Sequence, residues 1–276
     1  MSTNRARPTI ELVVTDLDGT LWEQSGDVHP RTLDAVRRLE SGGTPILVAT
    51  GRRIASTRAP LAAVGLTPPA VVLNGALGLD LRTGERFHQN GFVAGDAVRV
   101  LEAFRRWEHD PCVYVDHDEP SVWVSETPAT HPLHLASFGD DLGVGSLDDV
   151  LDEASSVLAF SLLGIDERVA HGIGAELESV ARSHVDRDRQ YGGFTITVAP
   201  AQQSKWDGVA AFCALRGIDP RSVLAIGDGP NDVELLDAAA IAVVPADAHP
   251  EARAVADHVV GRAVDGGWAE LVDLLR

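Results

Sequence analysis

Short apolar runs separated by amphipathic stretches mark both ends of the chain. Residues 10–15, 45–49 and 70–73 have the length and continuous hydrophobicity of strands buried on both faces. Helical spacing fills the gaps. One helix opens at His29-Pro30 and runs to Gly42, and a second spans 54–63 with Gly65 as its C-cap. Residues 77–81 and 86–88 predict a hairpin that turns at Thr83-Gly84. The alternation returns later as helix 204–215 ending at Gly217, strand 222–226, helix 232–239, strand 241–244, helix 250–256 and a closing helix at 268–274. Strands alternating with helices in this way predict an α/β fold, a doubly wound parallel sheet with a Rossmann-like core.

The middle of the chain has another rhythm. A helix is predicted over 94–108, with Val98, Leu101, Phe104 and Trp107 on one face. Residues 112–115 and 121–124 alternate like half-exposed antiparallel strands, and the glycine-rich, acidic stretch 139–145 reads as a loop. A strand at 157–163, a helix at 167–182 and a strand at 194–198 follow. The expected organisation is a core of residues 1–84 and 196–276, interrupted by an α+β insertion at 85–195.

Composition narrows the partners. Of 276 residues, 23 are basic and 41 acidic, a net charge of −18 that repels nucleic acids and anionic membranes. A small phosphorylated ligand is compatible only where cations neutralise the site locally. The two cysteines, Cys112 and Cys213, form no C-x-x-C, which excludes a zinc knuckle or disulfide framework and suits packing in a reducing compartment. After Arg5 and Arg7 the first apolar run, 12–14, is too short for a signal-peptide core, so a cytoplasmic location is expected. Nothing in the pattern specifies an oligomeric state. One lysine, Lys205, stands among 23 basic residues. Lysine is a compact point charge, not interchangeable with arginine.

Ligands of an open parallel sheet bind at the carboxyl ends of its strands. Four apolar runs end in small polar residues with glycine close by: Asp16, then Thr50-Gly51-Arg52, then Asn74-Gly75, then Gly227-Asp228. In Asp16-Leu17-Asp18-Gly19-Thr20, two carboxylates at spacing i, i+2 would point the same way in an extended chain, and Gly19 lets the backbone approach a ligand. Gly227-Asp228-Gly229-Pro230-Asn231-Asp232 adds two more acids. Four carboxylates at one edge repel one another unless a cation joins them, and hard oxygen donors in this number suit Mg²⁺.

These segments, in this order and with Lys205 between the second and last, resemble the four motifs of the haloacid-dehalogenase-like hydrolase superfamily. The similarity is to its Cof-type phosphatases, which carry a large α/β cap between the second and third motifs. The resemblance covers essentially the whole chain. It implies that Asp16 is the nucleophile, forming an aspartyl-phosphate, and that Asp18 is the general acid and base. It implies phosphate binding by Thr50, Lys205, Asn74, Gly51, Arg52 and Asn231. It implies Mg²⁺ bound by Asp16, Asp228, Asp232 and the backbone carbonyl of Asp18. The expected activity is hydrolysis of a phosphomonoester of a small metabolite, a sugar phosphate by family analogy, under a cap that excludes water. A phosphotransferase or phosphomutase, or a non-catalytic binder of phosphorylated metabolites, would use the same pocket. Two departures stand out: Trp206 where the family often has glycine, and Pro245-Ala246-Asp247-Ala248 where it often has Met-Gly-Asn-Ala.

Other signals carry less. His131-x-x-His134, and His109 with Asp110, Asp116, His117 and Asp118, read as chance clusters in acidic loops. Gly172-Ile173-Gly174 follows no strand, so it is no dinucleotide fingerprint, and no Walker A loop or Gly-x-Ser-x-Gly elbow is present.

Overall fold

The computed structural model describes residues 9–23, 26–117, 119–188 and 191–275. Residues 1–8, with Arg5 and Arg7, and Asp118 of the acidic cluster lie outside them. The chain divides into two units, Met1–Gln89 with Ser204–Arg276, and Asn90–Gln203.

The first unit begins with β1 (Leu12–Thr15), α1 (Pro30–Ser41), β2 (Ile46–Ala49), α2 (Ile54–Ala63), β3 (Pro69–Val72), β4 (Leu77–Asp80) and β5 (Arg86–Gln89). The second holds α3 (Ala94–Arg106), β6 (Cys112–Val115), β7 (Val122–Val124), α4 (Pro132–Ala136), β8 (Leu142–Val144), α5 (Leu147–Glu153), β9 (Val157–Ile165), α6 (Glu167–Leu177), β10 (Ala181–Arg187) and β11 (Phe194–Pro200). The first unit resumes with α7 (Lys205–Arg216), β12 (Val223–Ile226), α8 (Val233–Ala238), β13 (Ile241–Pro245), α9 (Pro250–Ala254), β14 (His258–Val260) and α10 (Leu271–Leu274).

The first unit is built on an eight-stranded sheet of order β14-β13-β12-β1-β2-β3-β4-β5. It is parallel from β14 to β3, and the β4–β5 hairpin extends it antiparallel. Every residue of β1, β2 and β12 is buried, as a sheet covered on both faces requires. Leu12, Val14, Leu47 and Val71 pack with Val209 and Phe212 of α7 and Leu235 of α8. On the opposite face Thr15, Ile46 and Val48 line a small cavity with Val36 of α1 and Leu61 of α2. The strand order reverses at β1, between β2 and β12, which is the switch point where such sheets bind ligands.

The second unit has a six-stranded sheet, β10-β11-β9-β6-β7-β8, antiparallel except at β7–β8. Phe104 of α3 and Ile173 of α6 pack on Phe160, Leu162 and Ile196 in its core.

Several expectations shift. The unit boundaries fall after residues 89 and 203, not 84 and 195. Residues 86–89 pair with β4 in the first unit, whereas Phe194–Pro200 pairs with β9 and β10 in the second. Residues 142–144 form β8 instead of a loop. The helix expected over 167–182 ends at Leu177, and the chain continues as the edge strand β10. Val98 is 44% exposed, since the buried stripe of α3 runs through Ala97, Leu101 and Phe104. β6 is buried throughout rather than half exposed. Gly65 sits one residue past the C-cap, Val64, with φ +77°, and Leu66 N–H closes the turn onto the Leu61 carbonyl.

Candidate active site

The carboxyl ends of β1 and β12 and the first turn of α7 converge on one group of charges. Asp16 follows β1 directly, and its N–H donates to the Ile226 carbonyl of the neighbouring β12 at 2.9 Å. The start of α7 is fixed by the Asp207 carboxylate, which accepts from the N–H and the hydroxyl of Ser204 at 2.8 and 2.9 Å. That places Lys205 at the first helical position. Its Nζ donates to Asp16 Oδ1 at 2.8 Å and to Asp232 Oδ1 at 2.7 Å. Asp232 is fully buried, and its Oδ2 accepts from the N–H groups of Asp228 and Gly229, both at 3.0 Å.

Asp228 completes the group. Its Oδ1 accepts from the Thr20 hydroxyl at 3.1 Å. A carboxylate oxygen from each of Asp16, Asp228 and Asp232 lies within 4.8 Å of the others. Three acids, of which Asp16 and Asp232 are buried and Asp228 is half-buried, thus surround one buried ammonium. Burial, opposed by Lys205 and reinforced by Asp232 and Asp228, raises the Asp16 carboxyl well above the ordinary range. Burial and then the Asp232 charge push Asp228 up to about 6. For Lys205 burial opposes the charge, but Asp16 and Asp232 outweigh it and hold the ammonium above the usual lysine value. A cluster this short of positive charge, made of hard oxygen donors, fits a divalent cation of the Mg²⁺ type.

Asp18 stands apart from that cluster. β1 ends at Thr15, so strand alternation does not carry on, and Asp18 lies at a turn where Gly19 N–H donates to the Trp22 carbonyl at 2.8 Å. Its carboxylate is gripped by Arg52, Nε to Oδ2 at 2.6 Å and Nη2 to Oδ1 at 2.5 Å, and Trp22 Nε1 donates to Oδ1 at 3.0 Å. The two carboxylates would point the same way only in an extended chain; the chain leaves the strand after Thr15, and Asp16 and Asp18 have different hydrogen-bond partners. Gly19 makes the turn possible: its φ is +75°, and a Cβ there would lie 2.4 Å from Asp228 Oδ2.

The end of β2 and the turn after β3 supply neutral polar groups. Thr50 is buried; its N–H donates to the Val71 carbonyl, and its Oγ1 accepts from Arg52 N–H at 3.2 Å. Leu73 and Asn74 take positive φ, +50° and +53°, and Gly75 follows at +106°. A Cβ on Gly75 would come within 2.0 Å of the Ser204 carbonyl, so the turn abuts the residue that caps Lys205. Asn231 Nδ2 donates to Asn74 Oδ1 at 2.9 Å, and Gly51 packs against the same Asn74 amide. All ten residues singled out from the sequence thus fall in two linked groups and one pair: Asp16, Asp228, Asp232 and Lys205; Thr50, Gly51, Asn74 and Asn231; Asp18 with Arg52.

Sequence reasoning placed Thr20 in the first motif without a role and missed Trp22 and Trp268. Trp22 is fully buried and holds Asp18. Trp268 Nε1 donates to Thr15 Oγ1 at 3.0 Å, which donates on to the Asp16 carbonyl at 2.7 Å. For Trp22 its proximity to Asp18 in sequence was the available signal, and for Trp268 there was none. Trp206 packs against the core cluster. In the insertion, His131 Nδ1 caps α4, and the His134 ring lies against Thr130 and Phe138, so both histidines serve packing. Cys112 and Cys213 are buried, and burial pushes the Cys112 thiol up to about 12. No helix among the described residues is long and apolar enough to cross a membrane.

A profile of the haloacid dehalogenase-like hydrolases matches residues 13–272. The chain belongs to that family. Phosphoglycolate phosphatase of Methanopyrus kandleri is 27% identical over 249 residues, 90% of each chain. Pyridoxal phosphate phosphatase of Escherichia coli is 24% identical over 281 residues, covering 96% of this chain and 98% of its own. Among solved structures, a sugar phosphatase of the family's subclass IIB shares the fold with a TM-score of 0.75 at 21% identity, over 96% of this chain and 98% of its own. The chain is a hydrolase of this family, and its relatives place it among the phosphomonoester hydrolases.

Proposed function

We propose that this hydrolase is a Mg²⁺-dependent cytoplasmic phosphatase that cleaves a phosphomonoester of a small metabolite, with a sugar phosphate as the leading class, through an aspartyl-phosphate on Asp16. The observation that carries the reading is the buried contact of Asp16 with the chain's one lysine, beside two further carboxylates at the ligand-binding edge of the sheet. The named relatives act on small phosphorylated metabolites, which supports the substrate class.

Asp16 attacks phosphorus as the bond from phosphorus to the leaving oxygen breaks, and Asp18 gives that oxygen its proton. Water then attacks phosphorus, Asp18 takes the water's proton, and the bond to Asp16 breaks to release phosphate. Lys205, the Thr50 hydroxyl, the Asn74 and Asn231 amides, the Gly51 backbone and Arg52 orient and neutralise the phosphoryl oxygens. Asp16, Asp228, Asp232 and the Asp18 carbonyl would hold Mg²⁺, which when bound supplies the positive charge the cluster lacks. The insertion 90–203 takes the part of a cap that excludes water and reads the leaving group.

Phosphate release is measured from a panel of sugar phosphates, nucleotides and cofactor phosphates, with Mg²⁺, with EDTA and with Asp16→Asn. Release that needs the metal and vanishes in the variant is expected. Release that survives Asp16→Asn overturns the reading, and a labelled phosphoryl group that passes to an acceptor hydroxyl instead of water replaces hydrolysis with transfer.

A further inference from the structure

We propose that Arg52 is a latch on Asp18 that substrate phosphate opens, by taking the guanidinium away from the carboxylate. The proposal rests on the phosphatase reading and adds a step to it. In the structure both oxygens of Asp18 accept from the Arg52 fork, and Oδ1 also accepts from Trp22. Such bidentate, charge-assisted pairs are the strong kind. A carboxylate held this way accepts on both oxygens, with three of its roughly four lone-pair sites taken by donors. It cannot donate a proton to a leaving oxygen along the directions the fork occupies, so the fork has to open before Asp18 can act.

The surroundings hold Arg52 ready in that position. Its guanidinium lies over the Trp22 ring, 5.2 Å from the centroid, and Nη1 donates to the Ser56 carbonyl at 3.1 Å. Trp22 therefore touches both members of the pair. The side chains of Arg52 and Asp18 remain 26% and 37% accessible, unlike Lys205 and Asp232, which are fully buried. A pair open to solvent can exchange partners, whereas a buried one cannot without leaving a charge stranded. Arg52 also stands beside the groups assigned to the phosphoryl oxygens, since its own N–H donates to Thr50 Oγ1. An arriving phosphate, doubly charged and geometrically matched to the fork, competes with Asp18 for the same donors. Binding and release of the acid become one event, and Asp18 stays tied in the empty enzyme.

Competition has an equilibrium signature that positioning lacks. Weakening the internal acceptor should tighten the external one, but only while Arg52 is present. The test is a double-mutant cycle of inorganic phosphate binding, by calorimetry with Mg²⁺ present, on the wild type, Asp18→Asn, Arg52→Gln and the double variant. Asp18→Asn also removes one negative charge near the phosphate, which helps in both backgrounds. The latch predicts about tenfold tighter binding from Asp18→Asn with Arg52 present and at most about threefold in the Arg52→Gln background, a coupling of order 1 kcal/mol. Equal gains in the two backgrounds, or a loss in the first, overturn it. A second measurement covers a variant that does not fold. In the wild type, titrated phosphate should shift the Arg52 Nε–H and Trp22 Nε1–H resonances together, and resonances that stay fixed while phosphate saturates the protein overturn the latch. A positive hydrolysis panel with a flat cycle sinks the latch alone. A panel in which nothing is hydrolysed, with no phosphate bound, sinks the phosphatase reading and the latch with it.

Discussion

One group of charged residues in each unit is organised in the opposite way to the other. At the sheet edge of the first, Lys205, Asp16 and Asp232 meet almost wholly out of water. In the second, Arg105 of α3 makes a bidentate pair with Asp148 at 2.9 Å and reaches Asp110 at 3.2 Å, with side chains 39%, 65% and 25% accessible. Arg106 likewise pairs with Glu176 at the surface. The bonds look alike on paper, but their energetics differ. Exposed pairs give up little hydration and return little, typically under about 1 kcal/mol. Buried charges give up hydration that their mutual attraction barely restores, and the balance holds only while every partner stays. A chain that needed only stability would fill the first site with apolar side chains. The contrast therefore marks the Lys205 group as a place for chemistry and the Arg105 group as surface tailoring.

The contrast is broken most sharply by removing one buried charge at a time. Asp16→Asn is isosteric and leaves Lys205 with an acceptor, so the fold should survive while phosphate release falls by at least about 10³-fold, as expected for loss of the proposed nucleophile. Lys205→Met should strand two carboxylates. Urea unfolding of the metal-free protein at neutral pH should lose about 3–5 kcal/mol, the usual cost of an uncompensated buried charge. Adding Asp232→Asn to Lys205→Met should recover part of that loss. If the double variant is no better than the single one, the acids do not depend on Lys205 as argued.

Metal removal comes next. If Asp16, Asp228 and Asp232 take up Mg²⁺ only when folded, Mg²⁺ at one hundred times its dissociation constant adds about 2.7 kcal/mol of stability. Thermal melts should rise with Mg²⁺, fall back with EDTA and lose the response in Asp228→Asn. The comparable acidic stretch in the insertion, Asp148 and Asp149 on α5, should add nothing to that response, and Asp149→Asn should leave it intact.

The same division governs what could be read from sequence. The parallel core was legible because its strands are buried on both faces and end in the candidate site residues, so hydrophobic run and proposed chemistry coincide at Thr15-Asp16 and Ile226-Gly227-Asp228. The insertion was less so. β8 looked like a loop because Gly143 must lie flat against the Trp123 ring, where a Cβ would come within 2.6 Å. β10 was not legible, its first two residues being read as the end of a helix and the rest left unassigned, because an edge strand is free to carry Arg182, His184, Asp186 and Arg187. β6 looked half exposed because the cover on its second face, Phe138 against Tyr114, comes from a segment far along the chain. In the site, residue identities were legible but partners were not. The grip of Arg52 on Asp18 spans 34 positions, and no spacing rule reaches that far.

The smallest effect sharpens the other side of the comparison. Arg105→Ala should cost the insertion under about 1 kcal/mol, and added salt should shrink that cost, because both partners are largely in water. Its pH dependence follows from sign alone. The Arg105 hydrogen bond holds the Asp148 carboxyl below its ordinary value of 3.8. A depressed carboxyl contributes stability above its unfolded value and loses it as pH falls through the folded one. The difference in unfolding free energy between wild type and Arg105→Ala should therefore be constant from neutral pH down to about 4 and close only in stronger acid. Lys205→Met should not follow that profile. Asp16 is raised by burial, so protonating it relieves the stranded charge, and the cost of the variant should shrink as soon as acid is added, well above the range where Arg105→Ala changes. If the two variants trace parallel curves against pH, burial is not what separates the two sets of charges.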